Sequence, residues 1–209
     1  KEFVDNRNER GFNELRGYFI DEGGFLSSMD QPAEVSVLEQ GPLFVKVAVK
    51  GKIGKYSFTQ TIRLTQGEPR IDMSVKLDWT GNPRIGEPGI EFRADNPRKA
   101  FYDDRYKLLV YLPTQIANQQ IYKDAPFDVC ESRLENTFFN RWDSIKHNII
   151  LNWVDVASKD NSCGLSLFTD HTTSYAHGKD FPLALNVQYA GKGLWGRDYI
   201  IDRPTEISY

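Results

Sequence analysis

Residues 71–79 read IDMSVKLDW, and this stretch decides the class of fold. Every odd position from Ile71 to Trp79 is apolar, and every even position is polar. A period of two is typical of a β-strand with one face on a core and the other in water. A helix would scatter the same apolar side chains around its circumference. The stretch therefore predicts an amphipathic strand.

The same alternation recurs along the chain, and Gly and Pro cluster between its occurrences, at residues 40–42, 66–69 and 81–83. No window of about a dozen residues shows a convincing helical period. The further alternating apolar positions are Leu43, Val45, Val47 and Val49, then Tyr56, Phe58, Ile62 and Leu64 with Gln60 as an interruption, and finally Leu183, Leu185, Val187 and Tyr189.

Strands with a single apolar face favour antiparallel pairing, because parallel strands are usually covered on both faces. Many short strands with almost no helix are typical of sheets that stack on one another. We therefore expect an all-β fold, a large antiparallel β-sandwich formed by residues 1–209 as a single domain. Two aperiodic stretches, residues 80–100 and 131–146, are expected to be long loops.

Charge and composition exclude several classes of partner. The 209 residues contain 26 Lys and Arg and 29 Asp and Glu, a net charge of −3, and the basic residues are scattered. Neither nucleic acid nor a membrane is therefore expected as a partner. Cys130 and Cys163 have no metal-binding or disulfide-framework spacing, so two buried thiols are expected.

The ends of the sequence favour a piece of something longer. The chain begins with Lys1, and residues 206–209 have the pattern of a strand that is cut short. We therefore expect a fragment of a longer polypeptide. The compartment stays open, with a periplasmic or secreted location among the options.

Several segments, in order over nearly the whole chain, resemble the C-terminal region of glycoside hydrolase family 38, the α-mannosidases. Each segment is short, and their common order makes the resemblance specific. They are LEQGPL at residues 38–43, TQTIRL at 59–64 followed by Gly67, Pro69 and Asp78-Trp79, YKLLV at 106–110 with Pro113, ENT at 135–137, NWVDV at 152–156, GLSLFTD at 164–170, and Tyr175 with His177-Gly178.

The resemblance implies a sandwich of the galactose-mutarotase-like, or supersandwich, type. In that family the zinc ligands and the aspartate nucleophile belong to an N-terminal α/β domain, and nothing in this sequence matches their motifs. The resemblance therefore implies that this chain carries no catalytic residue and no cofactor. Zinc or another divalent metal would be held by the N-terminal catalytic domain, which would be one partner. A mannose-containing carbohydrate would be the other.

The candidate substrate-facing segment is residues 170–178. It follows an apolar strand and is dense in polar side chains, as are binding loops on rigid scaffolds. The resemblance implies that a charged residue and a tyrosine from this region approach the mannoside, and Asp170 and His171 occupy the matching place, where some members have arginine. We name Asp170, His171, Tyr175 and His177 as substrate-binding candidates. The alternative is a turn in which Asp170 caps backbone amides and the tyrosine packs.

Aromatic residues give a further candidate. Trp195 lies in the glycine-rich stretch 191–197 near Arg197, which suits a contact to carbohydrate or a partner. Its alternative is a loop packed on the edge of the sandwich. The aromatic and charged mix at residues 101–106 either rims a cleft or covers a sheet edge.

Two other functions and one other kind of site remain open on the residues. A free-standing carbohydrate-binding sandwich would use Trp195 and Tyr175. A mutarotase-like epimerase would use His171 or His177 as general acid, with a carboxylate facing the same sugar. A metal site at Asp170, His171 and His177 would need a fourth ligand that the sequence does not supply.

Overall fold

The computed structural model describes residues 2–88, 103–132, 148–192 and 198–209. Within these residues the only helical segments are two single 3₁₀ turns, Ile20–Glu22 and Asp104–Tyr106, and no helix is long and apolar enough to cross a membrane. The strands, in chain order, are β1 (Glu14–Phe19), β2 (Gly24–Ser27), β3 (Glu34–Gln40), β4 (Phe44–Ile53), β5 (Tyr56–Thr65), β6 (Ile71–Asp78), β7 (Leu108–Leu112), β8 (Gln119–Ala125), β9 (Asp128–Ser132), β10 (Ile149–Ile150), β11 (Trp153–Ser158), β12 (Gly164–Phe168), β13 (Thr173–Gly178), β14 (Phe181–Gln188), β15 (Gly191–Lys192), β16 (Asp198–Tyr199) and β17 (Thr205–Ser208).

Three antiparallel sheets contain all of these strands except β15 and β16, which pair with each other. The six-stranded sheet has the order β10-β13-β14-β7-β1-β2, and the five-stranded sheet has the order β17-β6-β5-β4-β3. The four-stranded sheet has the order β12-β11-β8-β9. β12 and β17 are therefore edge strands of two different sheets.

One hydrophobic core contains side chains from all three sheets. The ring of Phe19 in the six-stranded sheet stacks on Tyr56 of the five-stranded sheet, with ring centroids 5.4 Å apart. The hydroxyl of Tyr175, also in the six-stranded sheet, hydrogen-bonds Ser132 of the four-stranded sheet. The six-stranded sheet therefore packs against the other two sheets, which confirms the predicted all-β antiparallel sandwich.

Strand β6 carries the alternation that decides the fold. Val75 and Leu77 are fully buried in the core, whereas Lys76 and Asp78 between and after them are exposed. Burial of such a side chain stabilises the fold by roughly 1.5–3 kcal/mol. The period of two in the sequence is thus the period of burial in the structure.

Gln60 interrupts the apolar pattern of β5 without leaving its core face. The side chain is only 4% exposed, and its Nε2 donates a hydrogen bond of 2.8 Å to the carbonyl oxygen of Asn13. A buried amide is tolerated because its polar atoms find partners. The interruption therefore holds the N-terminal segment against the core.

The middle of the six-stranded sheet differs from the expectation of one wet face. Every residue of β7 is buried, and in β14 Ala184 and Asn186, which lie on the second face, are buried as well. The guanidinium carbon of Arg10 lies 4.8 Å from the centre of the Phe181 ring on this face. The N-terminal segment therefore helps to cover it. Its second apolar cluster is Leu109, Tyr111, Ala176, Phe181 and Ala184.

The predicted burial of the two cysteines is wrong, because neither side chain is fully buried. Both thiols are free, and Cys130 is partly buried, but Cys163 is exposed at the end of the turn between β11 and β12. The predicted loops fall mostly on residues 89–102 and 133–147, outside the described part of the chain.

The close approach of β1 to β7 requires a glycine at position 17, and this gives the first prediction. A Cβ atom at Gly17 would lie 2.8 Å from the Cα of Leu108, a backbone atom that cannot move aside cheaply. We expect Gly17→Ala to lower the free energy of unfolding by about 1–3 kcal/mol, measured by urea denaturation.

Gly24→Ala in the neighbouring strand is the matched control. A Cβ atom there meets nothing within 4 Å. We expect the stability to be unchanged or raised by up to about 1 kcal/mol. Equal effects of the two substitutions would contradict the pairing of β1 with β7.

Candidate functional site

The exposed part of the candidate segment is the turn formed by Asp170 and His171. Their side chains are 49% and 37% exposed, and Nδ1 of His171 lies 2.6 Å from Oδ1 of Asp170. The hydroxyl of Thr169 donates a hydrogen bond of 2.7 Å to the carbonyl oxygen of His171. The carboxylate of Asp170 thus orients the imidazole, and the hydroxyl of Thr169 holds the backbone of the same residue.

The same aspartate fixes the turn to the edge of another sheet. Oδ2 of Asp170 accepts a hydrogen bond of 3.0 Å from the backbone N–H of Ser208, and the N–H of Asp170 donates to the Ser208 carbonyl at 3.3 Å. The capping role of Asp170, which was the structural alternative, is therefore present. This capping leaves the contact between Asp170 and His171 in place, because the two carboxylate oxygens bind different partners.

Nδ1 of His171 and both carboxylate oxygens of Asp170 have partners, whereas Nε2 of His171 has no hydrogen-bond partner among the described residues. With Nδ1–H donating to the carboxylate, the neutral ring offers Nε2 as an acceptor for a hydroxyl group. A carboxylate that orients an imidazole in this way fixes its tautomer and its direction. The turn can therefore accept one hydrogen bond from a polyhydroxylated ligand.

Tyr175 and His177 lie elsewhere, because both point into the sandwich from β13. Tyr175 is fully buried, and burial raises the pKa of Tyr175 to about 12 against the smaller opposing effect of its bond to Ser132. His177 is 4% exposed, and its ring nitrogens lie 2.7 Å from the Phe181 carbonyl oxygen and 2.7 Å from Oε1 of Gln119. Burial lowers the pKa of His177, opposed by the bond to Phe181.

The structure therefore brings together only Asp170 and His171 of the named candidates. In this conformation neither Tyr175 nor His177 offers a surface on which a sugar ring could lie. Trp195 lies outside the described residues. In the part of the chain that the structure describes, no three His, Cys, Asp or Glu side chains converge to hold a metal ion.

A buried ionic cluster was not singled out by the sequence. Nζ of Lys107 lies 2.5 Å from Oδ1 of Asp104, and both side chains are at most 5% exposed. The amide nitrogen of Asn148 bonds the other oxygen of Asp104 and, at 2.5 Å, the Tyr175 carbonyl. The cluster ties the 3₁₀ turn and the residue before β10 to β13. For residues 103–106 the structure therefore favours the packing alternative over the rim of a cleft.

A second missed feature is an apolar face on the five-stranded sheet. Its residues share the side of the sheet that carries Val75 and Leu77, but they lie beyond the core. We call this set the apolar overhang. Its members are Val35, Val37, Leu64 and Ile71, each between 46% and 67% exposed, and the half-buried Val45, Val47, Ile62 and Met73.

The alternation of β3 to β6 is the signal that could have revealed the overhang. The alternation predicts that all of these apolar positions face the core. The other two sheets cover only some of them. Single exposed apolar residues are ordinary, whereas a contiguous set across four strands is typical of an interaction surface.

The fold and this surface define an all-β sandwich domain with an exposed apolar face beside a polar turn. The family model for the glycosyl hydrolases family 38 C-terminal domain matches residues 18–186. The chain belongs to this family. No curated protein and no solved structure gives a significant match. The chain is therefore a domain associated with glycoside hydrolases, and family members of this kind accompany an N-terminal catalytic domain.

The buried phenol of Tyr175 gives the second prediction. Its pKa of about 12 in the folded chain lies above the value near 10 expected when the chain unfolds. The unfolded chain therefore loses this proton first, and stability falls as the pH rises from about 10 to 12. Between pH 8 and pH 11 we expect the wild-type chain to lose about 1.4 kcal/mol more unfolding free energy than Tyr175→Phe, measured by urea denaturation.

Ser132→Ala serves as the control, because it removes the hydroxyl partner and keeps the buried phenol. It should retain the alkaline loss of the wild type. A Tyr175→Phe variant with the same pH dependence as the wild type would show that the phenol is accessible to water.

Proposed function

We propose that this chain is the domain of an α-mannosidase-type glycoside hydrolase that packs against the catalytic domain and lines one wall of the mannoside cleft. The nucleophile and the metal would reside in the catalytic domain. The observation that carries the proposal is the apolar overhang of the five-stranded sheet, a contiguous apolar face beside the exposed Asp170–His171 turn.

The overhang suits a domain interface by its chemistry. Leu64 lies beside Ile71 and Val45 across the sheet, so the exposed side chains form one surface. Burial of apolar surface stabilises a complex by about 25 cal/mol per Å². The fully buried centre of an interface is its most apolar part. A catalytic domain on this face would complete the burial that the strand pattern begins.

The Asp170–His171 turn lies next to this face. Asp170 is bonded to Ser208 in β17, and β17 pairs with β6, which carries Met73 and Ile71 of the overhang. A catalytic domain seated on the overhang would therefore have the imidazole of His171 at its margin. The accepting Nε2 atom would bind a sugar hydroxyl there.

The third prediction tests the interface. We expect Leu64→Arg to destabilise the polypeptide that contains both domains by about 3–5 kcal/mol, because an unpaired charge would be buried between them. In the isolated chain the same change should cost less than about 1 kcal/mol, since the side chain is 46% exposed and an Arg can reach water. Chemical denaturation of both forms measures the difference.

Val129→Arg is the matched control, because Val129 is 56% exposed on β9 of the four-stranded sheet. It should have a small effect in both forms. If Leu64→Arg destabilises the isolated chain as much as the complete polypeptide, the overhang is not an interface.

The fourth prediction concerns His171 in the complete enzyme. Removal of one neutral hydrogen bond costs about 0.5–1.5 kcal/mol, so His171→Ala should raise KM for an aryl α-mannoside by about threefold to tenfold. The value of kcat should stay within about twofold, because the bond is made equally to the bound substrate and the transition state.

Lys179→Ala provides the comparison, because Lys179 is exposed at the opposite end of β13. It should change neither constant. An unaltered KM in His171→Ala would show that the turn does not contact the substrate. The domain interface is tested separately by Leu64→Arg.

A further inference from the structure

A groove separates the edge strand β12 from the beginning of β6. It has a volume of about 820 Å³, and Pro69 and Phe12 are among the residues that line it. Most of its walls are apolar, and they include side chains of the core and of the overhang. Residues 164–168 form one wall of the groove, and Ile71, Met73 and Tyr209 line it as well.

One wall of the groove is a free β-edge. The N–H of Ser158 donates to the Cys163 carbonyl, and the N–H of Thr169 donates to the Asn152 carbonyl, so the odd residues of this strand face β11. Hydrogen bonding in an antiparallel pair alternates along the strand. The N–H and C=O groups of Gly164, Ser166 and Phe168 therefore point away from β11. They have no partner among the described residues.

The opposite wall is a second free edge. Met73 and Tyr209 exchange two backbone hydrogen bonds of 2.8 Å, so the odd residues of β6 direct their N–H and C=O groups toward β17. Ile71 is the next odd residue, and it lies past the pairing with β17. Its backbone groups therefore also point into the groove.

β17 shows that the gap is one strand wide. On one side its neighbour Tyr209 pairs with Met73, and on the other side Ser208 is bonded to Asp170, which lies two residues beyond β12. The same two walls continue from this point along the groove. A single strand fits between edges that one strand already bridges.

The direction of that strand follows from the neighbours. β17 runs antiparallel to β6 and toward the groove. β12 runs along the groove toward Asp170, so β12 and β6 run in the same direction. A strand collinear with β17 would be antiparallel to both walls, which is the pairing found throughout these sheets.

We propose that this groove is the seat of one additional β-strand, supplied by the polypeptide that carries this domain and collinear with β17. The added strand would exchange main-chain hydrogen bonds with Gly164, Ser166 and Phe168 on one side and with Ile71 on the other. The four-stranded and five-stranded sheets would then form one continuous sheet opposite the six-stranded sheet. Strand addition of this kind gains affinity from the main chain and specificity from alternate side chains.

The side-chain pattern of the strand is also determined. In β17 the odd residues Thr205 and Ile207 are buried, and Ser208 between Ile207 and Tyr209 is exposed. Continuing this alternation places the second, fourth and sixth residues after Tyr209 toward the core. The strand would therefore be apolar at those positions, where it meets Leu165 and Leu167.

The fifth prediction uses the chain with an extension after Tyr209. About six residues that alternate threonine and valine, with valine at the even places of the extension, span β12 at roughly 3.3 Å per residue. We expect hydrogen exchange at the amides of Gly164, Ser166, Phe168 and Ile71 to slow by about tenfold or more, measured by NMR.

The matched control has the same composition with valine at the odd places of the extension, so that the valines face water. It should give at most a small fraction of the protection. Exchange at Val75 and Ile121, both in the core, verifies that each form is folded.

Two outcomes would overturn the proposal. The first is equal exchange at the four amides in the unextended and both extended chains, or equal protection by both extensions. The second is an unextended chain that sediments as a dimer with these amides already protected, because a second copy would then occupy the groove.

Discussion

The single apolar core shared by three sheets is the constraint on which the rest of this structure depends. The core collects apolar side chains from the six-stranded, the five-stranded and the four-stranded sheet, so none of the three sheets buries its inner face without the others. Polar groups that cross the core are paired across it. His177 reaches Gln119, and Gln188 donates to Thr205 at 2.9 Å. The buried polar atoms thus fix how the layers lie on each other.

The features of functional interest lie where this core ends. The five-stranded sheet is longer than the core, so Leu64 and Ile71 continue the buried face into solvent as the apolar overhang. The groove beside β12 and the Asp170–His171 turn adjoin the same border. Asp170 links them, because one oxygen orients His171 and the other holds β17. The apolar overhang, the groove and the polar turn therefore share one edge of the sandwich.

The fold could be predicted from the sequence to the extent that burial follows a period of two. Val75 and Leu77 are buried as the alternation of residues 71–79 requires. The alternation failed where a second layer of chain covers the outer face, as at Ala184, since nothing local reports which distant segment lies above a strand. The alternation also did not indicate where the core stops. Ile71 is exposed in spite of its pattern, because it lies beyond the core.

The sequence by itself determined the class of fold, the faces of most strands and the family, because these depend on local alternation and on the order of short segments along this one chain. Only the tertiary structure decided which polar residues of the candidate segment meet water. Asp170 and His171 lie in the turn before β13, whereas Tyr175 and His177 point from β13 into the sandwich. The physical reason is that their burial depends on Ser132, Gln119 and other neighbours far away along the chain.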